Sequence, residues 1–352
     1  MKNLGKIILS VLLFAALLSG CSKNEGNLDQ ASLKQVINQS TENLNTAVKE
    51  ITSTNAFSIL TISGLTGKSS TDETYKVYIP LDDIKGVYDY KPVTGKDRWG
   101  APLIRFFSKT ADNNKMIVNM PLKKVTHPGS LRNYSADDAS LSNNFSIAVS
   151  AYHNNYNNYH DFDYNLVSEI SVDKVIAGKL NIESFRSPAS GTKYASQYSF
   201  TGGYTANYKY VSGDPTESSF AIKNGDKVLY EEKLLTQKSE TEKFGREHTY
   251  ILTIGNVQIT RKSGSKEVQI AVSGVVQPGA VVEIIDKESD DEASVCKKRD
   301  IKITFEDGTV TTISKLIGNS VENIKTLYTS LHEVYFAAYI VDWIAYDIYY
   351  QR

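Results

Sequence analysis

The sequence predicts an α+β protein: a predominantly antiparallel β-sheet with an N-terminal helix and a long C-terminal helix packed on it. Three observations predict it. Residues 29–52 carry apolar side chains at helical spacing. From about residue 56 to 313, apolar and polar residues alternate between turns rich in Gly, Asn and Asp. Residues 320–349 return to a helical period. Strands framed by helices at both ends make a sheet with helices laid on it.

In the first helix, Leu33, Val36, Ile37, Leu44, Ala47, Val48 and Ile51 fall on one stripe, and Lys34, Gln35, Glu42 and Lys49 take the other side. No Pro or Gly interrupts it. The next run, 57–62, reads as a strand ending at the Gly64/Gly67 turn. Tyr75, Val77 and Ile79 alternate up to Pro80, and 87–90 follows Gly86. Residues 103–107 and 116–120 flank Asp112-Asn113-Asn114 and read as a hairpin. Phe145, Ile147, Val149 and Ala151 alternate, and 166–172 and 179–185 bracket Gly178. Tyr198, Phe200, Tyr204, Tyr208 and Tyr210 form a strand pair turned at Gly202-Gly203.

Ser212-Gly213-Asp214-Pro215 breaks the pattern. It divides an N-terminal block, 29–211, from a second β-rich block, 212–352, or forms a turn within one continuous domain. In the second block, 220–222 and 228–230 flank Asn224-Gly225, a strong hairpin signal because both residues tolerate positive φ. Residues 231–247 hold nine charged groups and read as an exposed connection. Residues 250–254, 257–259 and 268–276 read as a meander, the run 281–285 follows Pro278-Gly279, and a last hairpin turns at Asp307-Gly308. Between these, 287–300 is a mixed charge run read as a solvated loop. In the final helix, Leu327, Leu331, Val334, Ala338, Val341, Ala345 and Ile348 make a seam stepping by four and three. Its other side is not polar in the second half: Tyr335, Phe336, Tyr339, Ile340, Trp343, Tyr346 and Tyr350 crowd it. Such a helix is buried, or lies at an interface. Asp342 and Asp347 argue against a bilayer span, where an unpaired carboxylate is costly.

Composition narrows function. The 352 residues carry 39 Lys and Arg against 40 Asp and Glu, a balance with no concentrated basic face for nucleic acid. Two cysteines make neither a disulfide framework nor a Cys-rich zinc site. Tyrosine is in excess, with 22 Tyr beside 12 Phe and 2 Trp.

The first twenty-one residues carry the strongest signal. Lys2 and Lys6 form a positive start, residues 7–18 form an apolar run broken only by Ser10, and Leu18-Ser19-Gly20-Cys21 follows. This segment resembles the bacterial lipobox of signal peptidase II lipoproteins. The resemblance implies that residues 1–20 are a signal peptide and that Cys21 becomes an acylated N-terminus. Cleavage there removes Lys2 and Lys6, moving the net charge from −1 to −3, and leaves Cys296 as the remaining thiol. Residues 21–28 then form a lipidated tether, with the protein held at the membrane of the cell envelope. Ser22 after the Cys suggests, by resemblance to enterobacterial sorting, the outer membrane, with the periplasmic or surface face open. The whole pattern resembles Bacteroidota envelope lipoproteins.

Catalytic motifs are weak. Gly67-Lys68-Ser69 ends like a phosphate loop, but Ile62 replaces its first glycine. Ser171-Val172-Asp173-Lys174 has the spacing of a penicillin-binding Ser-x-x-Lys but lies in a strand pattern. No Gly-x-Ser-x-Gly and no His-Glu-x-x-His occurs. No catalytic residue, metal ligand set or cofactor is expected, and the protein reads as a non-enzymatic binding protein. One segment is a candidate site: Tyr152, Tyr156, Tyr159, Asp161, Asp163 and Tyr164, interleaved with Asn and His. Tyrosine rings stack on sugars while Asn and Asp bond hydroxyls. His153, His160, Asp161 and Asp163 also have donor types for a transition metal. The EF-hand reading fails because Leu166 replaces its Gly and Val172 its Glu. Three functions compete: a hydrophobic ligand or partner, a glycan, or a fimbria-like structural role. By fold-level analogy with periplasmic lipoprotein carriers, carriage of an acyl chain requires an apolar cavity under the C-terminal helix.

Overall fold

Asp29 opens the first helix, α1 (Gln30–Thr52), by accepting the Ser32 amide on its carboxylate at 2.8 Å. That bond satisfies one of the free N–H groups of the first turn and lowers the pKa of Asp29. The computed structural model describes residues 26–61, 76–93, 102–125, 130–131, 140–242, 245–265, 267–286, 299–332 and 336–350. The signal segment with Cys21, the Gly67-Lys68-Ser69 motif, the Gly64/Gly67 turn, Tyr335 and Cys296 lie outside the described residues, as does most of the 287–300 charge run. Along α1, Leu33, Ile37, Leu44, Ala47, Val48 and Ile51 are buried, as the apolar stripe predicts.

A short helix follows where a strand was expected. Thr54 caps α2 (Asn55–Leu60) by accepting the Phe57 amide at 3.1 Å, and Ala56, Ile59 and Leu60 are buried at helical spacing. An apolar run this short fits either period, and the Thr54 cap decides it. Next come β1 (Val77–Pro80), α3 (Leu81–Ile84) and β2 (Gly86–Tyr90). Residues expected to begin a hairpin instead make a 3₁₀ turn, Leu103–Phe106, that buries Leu103 and Phe106 one turn apart. β3 (Phe107–Ala111) and β4 (Met116–Met120) then pair not with each other but with β2, antiparallel and parallel respectively. The Asp-Asn-Asn turn is real, yet β2 is inserted between its arms.

From β4 the sheet is an antiparallel meander. It runs through β5 (Phe145–Asn158), β6 (Asp161–Val172), β7 (Val175–Ser187), β8 (Gly191–Phe200), β9 (Tyr204–Val211) and β10 (Thr216–Asn224). It continues through β11 (Lys227–Lys238), β12 (Arg246–Ile254), β13 (Val257–Lys262) and β14 (Val268–Val272). β14 pairs with β15 (Val275–Val276) and with β16 (Ala280–Asp286), and the ladder closes on β17 (Arg299–Phe305) and β18 (Val310–Thr312). The ladder does not stop at Ser212-Gly213-Asp214-Pro215, because β9 and β10 pair from Tyr204↔Asn224 to Val211↔Glu217. Of residues 231–247, expected as a connection, 231–238 and 246–247 lie in the pair β11 and β12, matched from Tyr230↔Ile254 to Lys238↔Arg246, and 239–245 join them. Glu231 and Lys233, two positions apart on an extended backbone, share a face and pair at 3.6 Å.

Three helices end the described chain: α4 (Ile313–Ile317), α5 (Ser320–His332) and α6 (Phe336–Tyr350). The single helix expected over 320–349 is described as these last two, on either side of 333–335. The seam behaves as its spacing requires: Leu327, Leu331, Ala338, Val341 and Ala345 are all buried. α1 packs against β11, β12, β13, α4 and α5, α5 against β8 and β9, and α6 against α3, β1 and the 3₁₀ turn. The core lies between these helices and one face of the sheet. No described helix is long and apolar enough to cross a membrane.

Candidate functional site

The tyrosine-rich segment 152–164 is the end of the β5–β6 hairpin. Its register is Tyr152↔Leu166, Asn154↔Tyr164 and Tyr156↔Phe162. Because side chains alternate between faces, this ladder splits the predicted cluster. Tyr152, Tyr156 and Tyr164 face the core with Leu166, whereas Asp161 and Asp163 lie on the opposite face. Tyr159, at the turn, is 61% exposed, and Asp163 on the outer face is exposed as well. The Arg186 guanidinium lies 4.4 Å from the Tyr159 ring centre. The six residues therefore do not converge on one ligand.

Each has structural work instead. Tyr152 and Tyr164 meet edge to face at 5.9 Å, and both hydroxyls donate to Oδ1 of Asp342 on α6, each at 3.0 Å. Burial raises the Asp342 pKa to about 7, although both hydroxyl bonds pull the other way. Burial, with the nearby carboxylate second, drives both tyrosines well above their ordinary range. Tyr156 stacks on Phe162 at 6.5 Å. On the outer face His153 meets Asp163 at 3.1 Å, while Asp161 accepts from Asn157 at 3.1 Å. The four residues considered for a metal thus separate into different contacts, and no group of three or more His, Cys, Asp or Glu suited to a metal occurs among the described residues.

The two core tyrosines tie the sheet to the helix through one carboxyl. Tyr152→Phe and Tyr164→Phe are each expected to lower stability by about 1–2 kcal/mol, the usual cost of losing a hydrogen bond to a buried group. Urea unfolding at constant m-value checks this. An unchanged midpoint in both variants would separate the hydroxyls from the fold.

A second aromatic group was only partly visible in the sequence. It forms where α5 meets the inner face of β8–β12. Tyr208 lies 5.8 Å from Tyr194, 5.7 Å from Tyr328 and 5.0 Å from His332, and Phe220 lies 5.7 Å from Tyr328. Tyr328 and His332, one turn apart on α5, stack at 5.6 Å. Cross-strand pairing aligns Tyr208 with Phe220, Phe220 with Glu232, and Leu234 with Tyr250. Glu232 is exposed on this row and accepts from the Tyr230 hydroxyl. Burial raises the Tyr230, Tyr250 and Tyr328 pKa values, and the Glu232 carboxylate adds to each rise. Its charge therefore reaches three phenols. Tyr328 is 40% exposed and Leu234 41%, so the row continues past the cover of the helices. The sequence signal was the alternation of Tyr204, Tyr208 and Tyr210. Glu232 and Tyr328 carried none, because they lie 96 residues apart and are brought to Phe220 only by the register of β10–β11 and the docking of α5.

This surface offers ring faces, phenol hydroxyls, an imidazole and a carboxylate, which is the chemistry of hydroxyl-rich ligands. The interior offers less. Ala337, Ile340, Val341, Ile344 and Ala345 on α6 have no accessible surface, so no space even of water size touches them. The acyl-sized cavity expected of a carrier is not formed against those side chains. Between α1 and β12–β13 a void of about 10 Å³, bordered by Ile37, Thr41 and Leu252, has room for about one water. Comparison of the chain with protein-family models, with curated proteins and with solved structures finds no match.

Proposed function

We propose that the protein is a lipid-anchored envelope lipoprotein that binds a glycan without chemically altering it, at the aromatic surface between α5 and β9–β12. The observation that carries the reading is the exposed Tyr328–His332 stack beside Glu232, on a base of Tyr208 and Phe220. A sugar ring lays its apolar C–H face on an aromatic ring and turns its hydroxyls to groups at the rim. Glu232 supplies the acceptor, and phenols supply donors and acceptors. The filled interface under α6 favours surface binding over carriage of an acyl chain. The lipobox-like start supports the envelope location and the anchor at Cys21.

The test is retention on an array of bacterial and host polysaccharides. The protein is expected to be retained by at least one glycan, and Tyr328→Ala and Glu232→Gln each to weaken that retention about tenfold or more, the scale of one lost stacking or charge-assisted contact. Tyr159→Ala is expected to leave it unchanged. Retention that ignores both Tyr328 and Glu232, or no retention at all, defeats the reading.

A further inference from the structure

The sheet face that carries the aromatic surface continues past Tyr250 to an arginine. Strand register sets Tyr210, Ser218, Leu234, Tyr250 and Arg261 in one cross-strand row. That row lies one side-chain step from the row of Tyr208, Phe220 and Glu232, on the same face. Arg261 shares the face with Ile259, buried two positions before it on β13. Its cross-strand neighbours, Tyr250 and Val268, both pack against the core. Arg261 is half-buried there, yet it has no hydrogen bond or ion pair among the described residues. The next residue, Lys262, takes the outer face and meets Glu247 at 3.9 Å. Lys209, Lys233 and Lys302 on that outer face also have carboxylate partners, at 3.2, 3.6 and 2.6 Å. These lysines find their acids within the chain, and Arg261 does not. A guanidinium drawn partly out of water keeps its N–H donors in a fixed planar fork, which matches the paired oxygens of an acid group.

We propose, resting on the glycan reading above, that the ligand is an acidic polysaccharide whose carboxylate or sulfate sits in the fork of Arg261. Phe220, Glu232, Tyr250 and Arg261 stand on four consecutive strands, β10 to β13, so the aromatic stack and the fork are about 14 Å apart across the sheet. One sugar ring does not span that distance. The ligand is therefore a chain, with one ring on Tyr328 and an acid group further along. Glu232 leaves room for that acid: two strands and one side-chain step, about 12 Å of backbone, separate it from Arg261, which exceeds the screening length at physiological salt. The chain is close to neutral, at −1, so bulk charge does not draw a polyanion and a local cation has to.

The test passes the full-length protein over four immobilised polymers: polygalacturonate and its methyl ester, dextran sulfate and dextran. In at least one pair the acidic member is expected to be retained about tenfold more than its neutral partner, the scale of a charge-assisted fork. Which pair responds tells carboxylate from sulfate. Arg261→Gln, with circular dichroism unchanged, is expected to erase the preference. Arg261→Lys keeps the charge without the fork and is expected to weaken it, which carries the test should Arg261→Gln fail to fold. Equal retention within both pairs overturns the proposal and leaves the glycan reading standing. So does a preference that survives Arg261→Gln, because other cations then hold the acid. No retention of either acidic polymer also overturns it, whereas the glycan reading falls only if the wider array is silent as well. A preference that needs Arg261 but ignores Tyr328→Ala and Glu232→Gln does the reverse: the fork stands and the aromatic site is refuted.

Discussion

Between pH 4 and pH 7 the protein is expected to lose stability, and Asp342→Asn is expected to remove that loss. The Asp342 pKa is raised from 3.8 to about 7, first by burial. In this window the folded state holds a proton that the unfolded chain releases, so stability falls as pH rises. The favourable contribution is complete below the unfolded value near 3.8 and is gone above the folded value near 7. A shift of this size corresponds to at most about 4 kcal/mol, and because the residue is only half-buried overall, solvent screens part of it. The neutral amide keeps an oxygen for Tyr152 and Tyr164 and has nothing to titrate. The measurement is the urea midpoint against pH for both chains. Difference curves between wild type and Asp342→Asn cancel the exposed carboxylates. Asp307, for example, is held well below the usual range by Lys34 at 2.6 Å and slopes the other way. Parallel curves would show that Asp342 does not titrate in this window.

Gly178→Ala is expected to destabilise by about 3 kcal/mol, at the upper end of overpacking effects, and Gly178→Val to prevent folding. A methyl group there would sit 2.6 Å from the Tyr198 hydroxyl and 2.7 Å from two of its ring carbons. Tyr198 is on the neighbouring strand, diagonal to Gly178, and has no accessible surface. Phe200 packs on its ring at 5.0 Å. With no open side, the ring cannot swing away, so the strain must enter the backbone of β7 and β8. Gly26→Ala, where nothing lies within 4 Å, is the control and is expected to be neutral. Combining Gly178→Ala with Tyr198→Leu should recover part of the loss in a double-mutant cycle. Additive effects would show that the ring and the glycine do not meet.

Much of the fold was legible because period is a local property. The α1 stripe, the alternation along β5–β9, a tight hairpin at Gly225 (one residue later than expected, since Asn224 closes β10) and the 327–345 seam each follow from neighbours within a few residues. Gly225, at φ +55°, is the residue that the tight turn between β10 and β11 requires. The misreadings share a cause. Runs 57–62 and 103–107 were too short for a period to show, and the Thr54 cap and the position after Pro102 decided their helical parts. Residues 231–247 carry no clean apolar alternation, and only pairing with neighbouring strands makes β11 and β12 plain.

The candidate site was less legible. Sequence proximity put Tyr152, Tyr156, Tyr159, Asp161, Asp163 and Tyr164 together, and the two-residue period of a strand took them apart. What the sequence determined by itself is a β-meander framed by helices, together with the buried stripe of each helix, since both depend on short-range periodicity. Only the tertiary structure decided that Asp342 lies under two tyrosines, that Glu232 and Tyr328 gather around Phe220, and that α6 turns aromatic rings outward. Those outcomes depend on strand register and helix docking, which are set by contacts between residues tens to hundreds of positions apart.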